Sequence, residues 1–182
     1  MGTLKYAILG LLTRKSMTGY DMAKEFETTL FELWSAKHSQ IYTELSSLTK
    51  SGLVDYKIEI SGNVLEKKLY SITPAGNAEF KRWENTCFPK AYPSKDEFRL
   101  QLFFSDCVSP EHRLNLLKKQ LKYYKKRLSH FQENLQKFNI IPPTDESEFS
   151  DYLVLLGAMM REEANCKWIE TSIRLCEEKH PS

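Results

Sequence analysis

The spacing of apolar residues in this chain switches period and then switches back, and that double change limits the folds open to it. Up to Lys50 the apolar positions recur every three or four residues. From Val54 onward they alternate instead, with Val54, Tyr56, Ile58 and Ile60 on one side and Asp55, Lys57 and Glu59 on the other. Ser61, Gly62 and Asn63 supply turn chemistry, and Lys68-Leu69-Tyr70-Ser71-Ile72 reads as the returning strand. At Thr73-Pro74 the helical period resumes, with Thr73 as N-cap and Pro74 in the first helical position. Three helices, one hairpin and a further helix make the order of a winged helix-turn-helix, in which the hairpin, or wing, lies beside the third helix. The expected fold class is mainly α: an N-terminal winged helix-turn-helix followed by a helical C-terminal domain.

The first helix spans about Thr3 to Arg14, on a stripe of Leu4, Ala7, Ile8, Leu11 and Leu12. The second runs to about Phe31, burying Tyr20 or Met22, Ala23, Phe26 and Leu30, with Thr18 as N-cap and Asp21 closing an acidic capping box. The third covers Ser39 to Ser51 and buries Ile41, Leu45 and Leu48. Gly52 follows as its C′ residue, where the left-handed conformation is cheap only for glycine. On the third helix's opposite side stand Ser39, Thr43, Ser46 and Lys50, flanked by Tyr42 and Ser47. A solubilising face more often carries Glu and Lys. This one is small, rich in hydroxyls and charged only at Lys50, the make-up of a recognition helix in a DNA major groove. The plain alternative is an ordinary amphipathic helix with a short polar face. On the first reading Ser39, Gln40, Tyr42, Thr43, Ser46, Ser47 and Lys50 face double-stranded DNA, and Lys67 and Lys68 of the wing contact phosphates.

The fourth helix extends to about Glu84 and carries Phe80 and Trp83. Phe88-Pro89-Lys90-Ala91-Tyr92-Pro93 places two prolines where no helix interior can continue. The expected division is therefore a winged-helix domain at 1–86, a linker at 87–94 and a helical domain at 95–182. Ser94 to Glu97 forms an S-x-x-E capping box, and Ser109-Pro110-Glu111 caps the next helix. Along the latter, Leu114, Leu117, Leu121, Tyr124, Leu128, Phe131, Leu135 and Phe138 form a heptad seam, with Lys118, Lys119, Lys122, Lys125, Lys126 and Arg127 outside it. The last helix, about Glu146 to Glu178, is apolar on two faces. One holds Leu153, Leu156, Gly157, Met160, Ala164, Trp168 and Leu175; the other holds Leu155, Met159, Cys166, Ile169, Ile173 and Cys176. Both must be covered. The preceding helix covers one, and a second copy of the chain is expected on the other, through Leu153, Leu156, Gly157, Met160, Ala164 and Trp168. The seam Leu114–Phe138 is the competing dimer contact.

Composition removes several function classes. Lys+Arg 26 against Asp+Glu 24 leaves +2, so nothing announces a strongly basic nucleic-acid binder, although a local patch suffices. A hydrophobic content of 41% describes a folded protein, and apolar runs stay far below the roughly 18 residues of a spanning helix. No membrane segment or signal layout is expected. Cys87, Cys107, Cys166 and Cys176 form no CxxC and have no histidine at ligand spacing, so they read as reduced, mostly buried thiols of a cytoplasmic protein without a metal. The glycines build neither a phosphate loop nor a nucleophile elbow, and His38, His112, His130 and His180 are dispersed. No enzyme activity and no cofactor are expected.

With these pieces in place the sequence resembles the PadR family of bacterial transcriptional regulators, in its longer subgroup with a C-terminal domain similar to that of virulence activators. The resemblance rests on Leu9-Gly10-Leu11-Leu12, Thr18-Gly19-Tyr20-Asp21, Ser39-Gln40-Ile41-Tyr42, Leu45, Leu48, Gly52-Leu53-Val54 and Tyr70-x-Ile72-Thr73-x-x-Gly76. Two departures stand out. Thr43 occupies the place where the family usually has proline, and Leu65-Glu66-Lys67-Lys68 replaces its arginine-bearing wing. The resemblance implies a homodimeric repressor joined by its C-terminal helices and released by a small, often aromatic, ligand or a stress signal. With that implication, Trp83, Tyr92, Phe103 and Trp168 are candidate pocket residues. The rival function is a winged-helix module for protein contact without sequence-specific DNA binding.

Overall fold

In the computed structural model, which describes residues 2–28, 30, 34–61, 65–86 and 95–179, the first helix is covered on more sides than its apolar stripe predicts. On α1 (Leu4–Arg14) Ile8 and Leu12 are buried as expected, but so are Leu9 and Lys5. The reason is α4 (Pro74–Glu84), which packs along the other side of α1. The Lys5 ammonium reaches Glu79 Oε1 at 2.7 Å, and the Tyr6 hydroxyl donates to the same oxygen at 3.1 Å. Burial alone pulls the Lys5 pKa down, but the bonds with Glu79 and Tyr6 outweigh it and hold the ammonium above its ordinary value. The same two donors hold the Glu79 carboxyl below the usual carboxylate range.

A two-residue strand, β1 (Met17–Thr18), follows α1 and leads into α2 (Gly19–Glu27). The capping box forms as expected: Asp21 N–H donates to Thr18 Oγ1 at 3.1 Å, and Thr18 N–H donates back to the Asp21 carboxylate at 3.4 Å. Of the two alternatives on this helix, Met22 is buried and Tyr20 is exposed. The helix stops at Glu27, short of the expected Phe31, where Thr28 N–H turns back onto the carbonyls of Lys24 and Glu25. Phe31 itself lies outside the described residues. Next comes α3 (His38–Lys50), then β2 (Val54–Ser61) and β3 (Leu65–Ile72). The three strands form one antiparallel sheet in the order β1-β3-β2. The expected turn residues Gly62 and Asn63 lie outside the described set. Ile8, Leu9, Met22, Phe26, Ile41, Leu45, Val54 and Tyr70 belong to one core shared by α1, α2, α3 and the sheet.

The chain divides into two compact units, Met1–Ala91 and Tyr92–Ser182; the expected linker, 87–94, falls outside the described residues. In the second unit α5 (Glu97–Phe103) is capped by Asp96, whose Oδ1 accepts from Arg99 N–H at 2.9 Å. That corrects the expected Ser94 cap: a carboxylate one residue before the helix is already in place for the first-turn donors. Ser109 caps α6 (Pro110–Leu135) as expected, accepting from His112 N–H at 3.2 Å. Helix α7 (Ser147–Lys179) runs back along α6. Three ion pairs mark the antiparallel register: Lys118–Glu177, Lys125–Glu170 and Arg127–Glu162, the last at 2.8 Å with Glu162 buried. Lys118 and Lys125, outside the seam, stay more than half exposed while pairing with α7. The seam side chains Leu117, Leu121, Tyr124 and Leu128 pack with Cys166, Ile169, Ile173 and Cys176. Phe138 lies beyond the end of α6, edge-on to Tyr152 with centroids 5.6 Å apart. No helix among the described residues is long and apolar enough to cross a membrane.

Candidate nucleic-acid interface

The third helix is pinned from behind and bare in front. Ile41, Leu45 and Leu48 are fully buried, while Ser39, Gln40, Thr43, Ser46, Ser47 and Lys50 are exposed and Tyr42 is 47% exposed. Tyr42, Thr43, Ser46, Ser47 and Lys50 line one shallow open hollow on its outer face. Five of the seven predicted helix residues therefore share one surface. The other two, Ser39 and Gln40, sit in the first turn and are partly committed. Gln40 Oε1 accepts from Lys37 N–H at 2.9 Å, leaving its amide N–H groups for an acceptor such as a purine edge or a phosphate. Ser39 C=O accepts the Thr43 hydroxyl at 2.8 Å. Thr43 consequently offers lone pairs and a methyl outward, a set suited to a base amino group or a thymine methyl. At the other end Gly52 has φ +71°, and its left-handed turn carries the chain from α3 into β2.

Tyr42 is held by a neighbour that pattern reading passes over. A Cβ on Gly19 would stand 2.5 Å from the Tyr42 ring, so the absence of a side chain at the start of α2 makes room for it. His38 Nε2 and Glu27 Oε1, 2.8 Å apart, tie the beginning of α3 to the end of α2. The first turns of α3 are thus held against α2 at two points.

The register of the wing separates its two predicted lysines. Val54 faces Ile72, Tyr56 faces Tyr70 and Ile58 faces Lys68; on the opposite face Lys57 pairs with Leu69 and Glu59 with Lys67. Val54 and Tyr70 are buried, so Lys68 extends the face that looks into the core. Lys67 projects from the other face, directly across from Glu59. Both are exposed. Lys68 Nζ lies 4.2 Å from the centroid of the Tyr56 ring. The period of two that identified the strand already puts adjacent lysines on opposite faces; the part played by Tyr56 needed the register.

Elsewhere the predicted sets divide. Leu153 and Met160 are 49% and 57% exposed on α7, Ala164 is exposed, and Leu156 and Gly157 are half-buried. Trp168 sits apart from this stripe, edge-on to Phe98 at 6.0 Å with the Arg99 guanidinium 5.3 Å from its ring. Of the candidate pocket residues, Trp83 belongs to the first unit and stacks on Tyr6 at 4.7 Å. Phe103 belongs to the second and is 78% exposed, perpendicular to Phe104. Tyr92 is outside the described residues.

Residues 8–82 match the PadR-like transcriptional regulator family, and residues 94–177 match the virulence activator alpha C-terminal family. The negative transcriptional regulator PadR of Bacillus subtilis (strain 168) is 39% identical over 178 residues, covering 96% of this chain and 98% of its own. The crystal structure of Bacillus subtilis PadR in complex with operator DNA superposes with a TM-score of 0.92 at 37% identity, covering 96% of this chain and 99% of that one. The complex of the same protein with p-coumaric acid gives 0.85 at 35% identity, over 96% and 98%.

Proposed function

The chain belongs to the PadR-like family of transcriptional regulators, and from that premise we propose that it is a cytoplasmic, homodimeric repressor that grips its operator with α3 and lets go on binding a small aromatic acid. The observation that carries this reading is the outer face of α3. Five exposed side chains, four of them hydroxylic and one a lysine, line one open surface directly behind a fully buried stripe. Such a face gains little by facing water and fits a groove edge that offers both donors and acceptors. Lys50 and Lys68 neutralise phosphates, while Gln40 and Thr43 meet base edges. No catalytic step is required of any of them.

Dimerisation follows from α7. Leu153 and Met160 are exposed on the side away from α6, with Ala164 on the same stripe, where a partner helix can approach closely. Two copies would set two recognition helices about one DNA turn, roughly 34–36 Å, apart. For the effector, the relative crystallised with p-coumaric acid supports a phenolic acid as the ligand class.

The test is fluorescence anisotropy with a duplex carrying this chain's own upstream region and a scrambled duplex of the same composition. Tight binding to the first alone, reversed by p-coumaric acid together with a change in tryptophan emission, is the expected result. Absence of binding to any duplex would overturn the reading in favour of a protein-contact module. Binding that no phenolic acid reverses would remove the effector half.

A further inference from the structure

A short run of aromatic contacts crosses the wing on its core-facing side. Tyr70 of β3 is buried in the core that α3 shares, and that burial pushes its phenol pKa up, opposed by Lys68. Tyr70 pairs with Tyr56 across the strands, with ring centroids 5.7 Å apart and planes tilted by 55°. The Tyr56 ring then carries the Lys68 ammonium on its face at 4.2 Å. Tyr70 is buried and Tyr56 half-buried, so the run is anchored in the core at one end and open to solvent at the other.

An exposed lysine on a hairpin ordinarily samples many rotamers, and a phosphate contact must overcome the cost of ordering it. Seating the ammonium on an aromatic face reduces that freedom before DNA arrives. Lys68 has such a seat, and it stands on the same sheet face as Tyr70, which is buried in the core shared with α3. Lys67 projects from the opposite face, across from Glu59.

We propose that Tyr56 is a positioning residue for DNA binding: its ring, backed by Tyr70, holds Lys68 on the side of the wing that faces the core shared with α3, ready for a backbone phosphate. The proposal rests on the DNA-binding reading given above. It assigns the wing's phosphate contact to Lys68, not Lys67, and makes that contact depend on a residue that itself touches no DNA.

The experiment measures how log K depends on log salt for the full chain on the upstream duplex and on a random-sequence duplex. Lys68→Ala should lower the magnitude of the slope by about 0.9 per subunit. Tyr56→Leu should lower it by the same amount, Tyr56→Phe should preserve it, and Tyr56→Leu with Lys68→Ala should do no more than either alone. Because Tyr56→Leu removes packing as well, pentafluorophenylalanine at position 56 serves as the fold-preserving control. It keeps the ring but reverses its quadrupole, and it should behave like the leucine variant. A wild-type slope in both the leucine and pentafluorophenylalanine variants, with Lys68→Ala still losing its share, would overturn the positioning role and leave DNA binding by the wing intact. A wild-type slope in Lys68→Ala would overturn the phosphate contact itself and the inference with it.

Discussion

A glycine at the start of α2 makes room for the largest side chain on the outer face of α3. Gly19 leaves room for the Tyr42 ring, and a methyl there would come within 2.5 Å of it. Alanine is otherwise favoured over glycine within a helix, by about 0.5–1 kcal/mol. The Tyr42 ring is partly exposed and can move aside. Gly19→Ala should therefore leave thermal stability within a few degrees of the parent while displacing Tyr42 from the hollow it shares with Thr43 and Ser46. The expected result is a loss of operator affinity of about tenfold, equivalent to about 1.4 kcal/mol, with an unchanged melting curve. Equal affinity, or a loss explained entirely by unfolding, would show that the position of Tyr42 does not matter to recognition.

At the scale of elements, α7 makes the sharper claim. Leu153 and Met160 are half exposed in the single chain, so replacing either should cost that chain little. In a dimer each buried side chain contributes about 1.5–3 kcal/mol. Met160→Arg should then give a folded monomer by sedimentation velocity that no longer holds the operator. A Met160→Arg protein that stays dimeric would move the interface to another face. What could be read from the sequence here, and what could not, has a simple physical basis. The stripe Ile41-Leu45-Leu48, the Thr18–Asp21 capping box and the Thr73-Pro74 helix start depend on residues within a few positions of one another, and all formed as expected. The burial of Lys5 depends on Glu79, in an element that packs on α1 only after the fold closes. The strand β1, two residues long, has no period to detect and exists because Tyr70 and Leu69 are there to pair with it. Trp168 shared a helical face with Leu153 and Met160 by spacing, yet Phe98 from another helix draws it inward. For the recognition surface, the helix face was legible because its chemistry is local. The separate placements of Lys67 and Lys68 were legible only in part, because Tyr56 reaches Lys68 across the hairpin.

For the whole molecule the balance of charge sets the terms of binding. With a formal net charge of only +2, the chain's overall charge adds little long-range attraction to DNA. On the proposed reading affinity must come from a small number of well-placed contacts, repeated in two copies, and among the described residues Lys50 is the one cation lining the α3 hollow. The most direct measurement is therefore the salt dependence of operator binding for Lys50→Glu, made on protein shown to be folded and dimeric. The account predicts a large loss of affinity and a log K against log salt slope smaller in magnitude by about 0.9 or more per subunit. A Lys50→Glu dimer that binds its operator with the parent's affinity and slope would contradict it, because the outer face of α3 would then not be the surface that meets DNA.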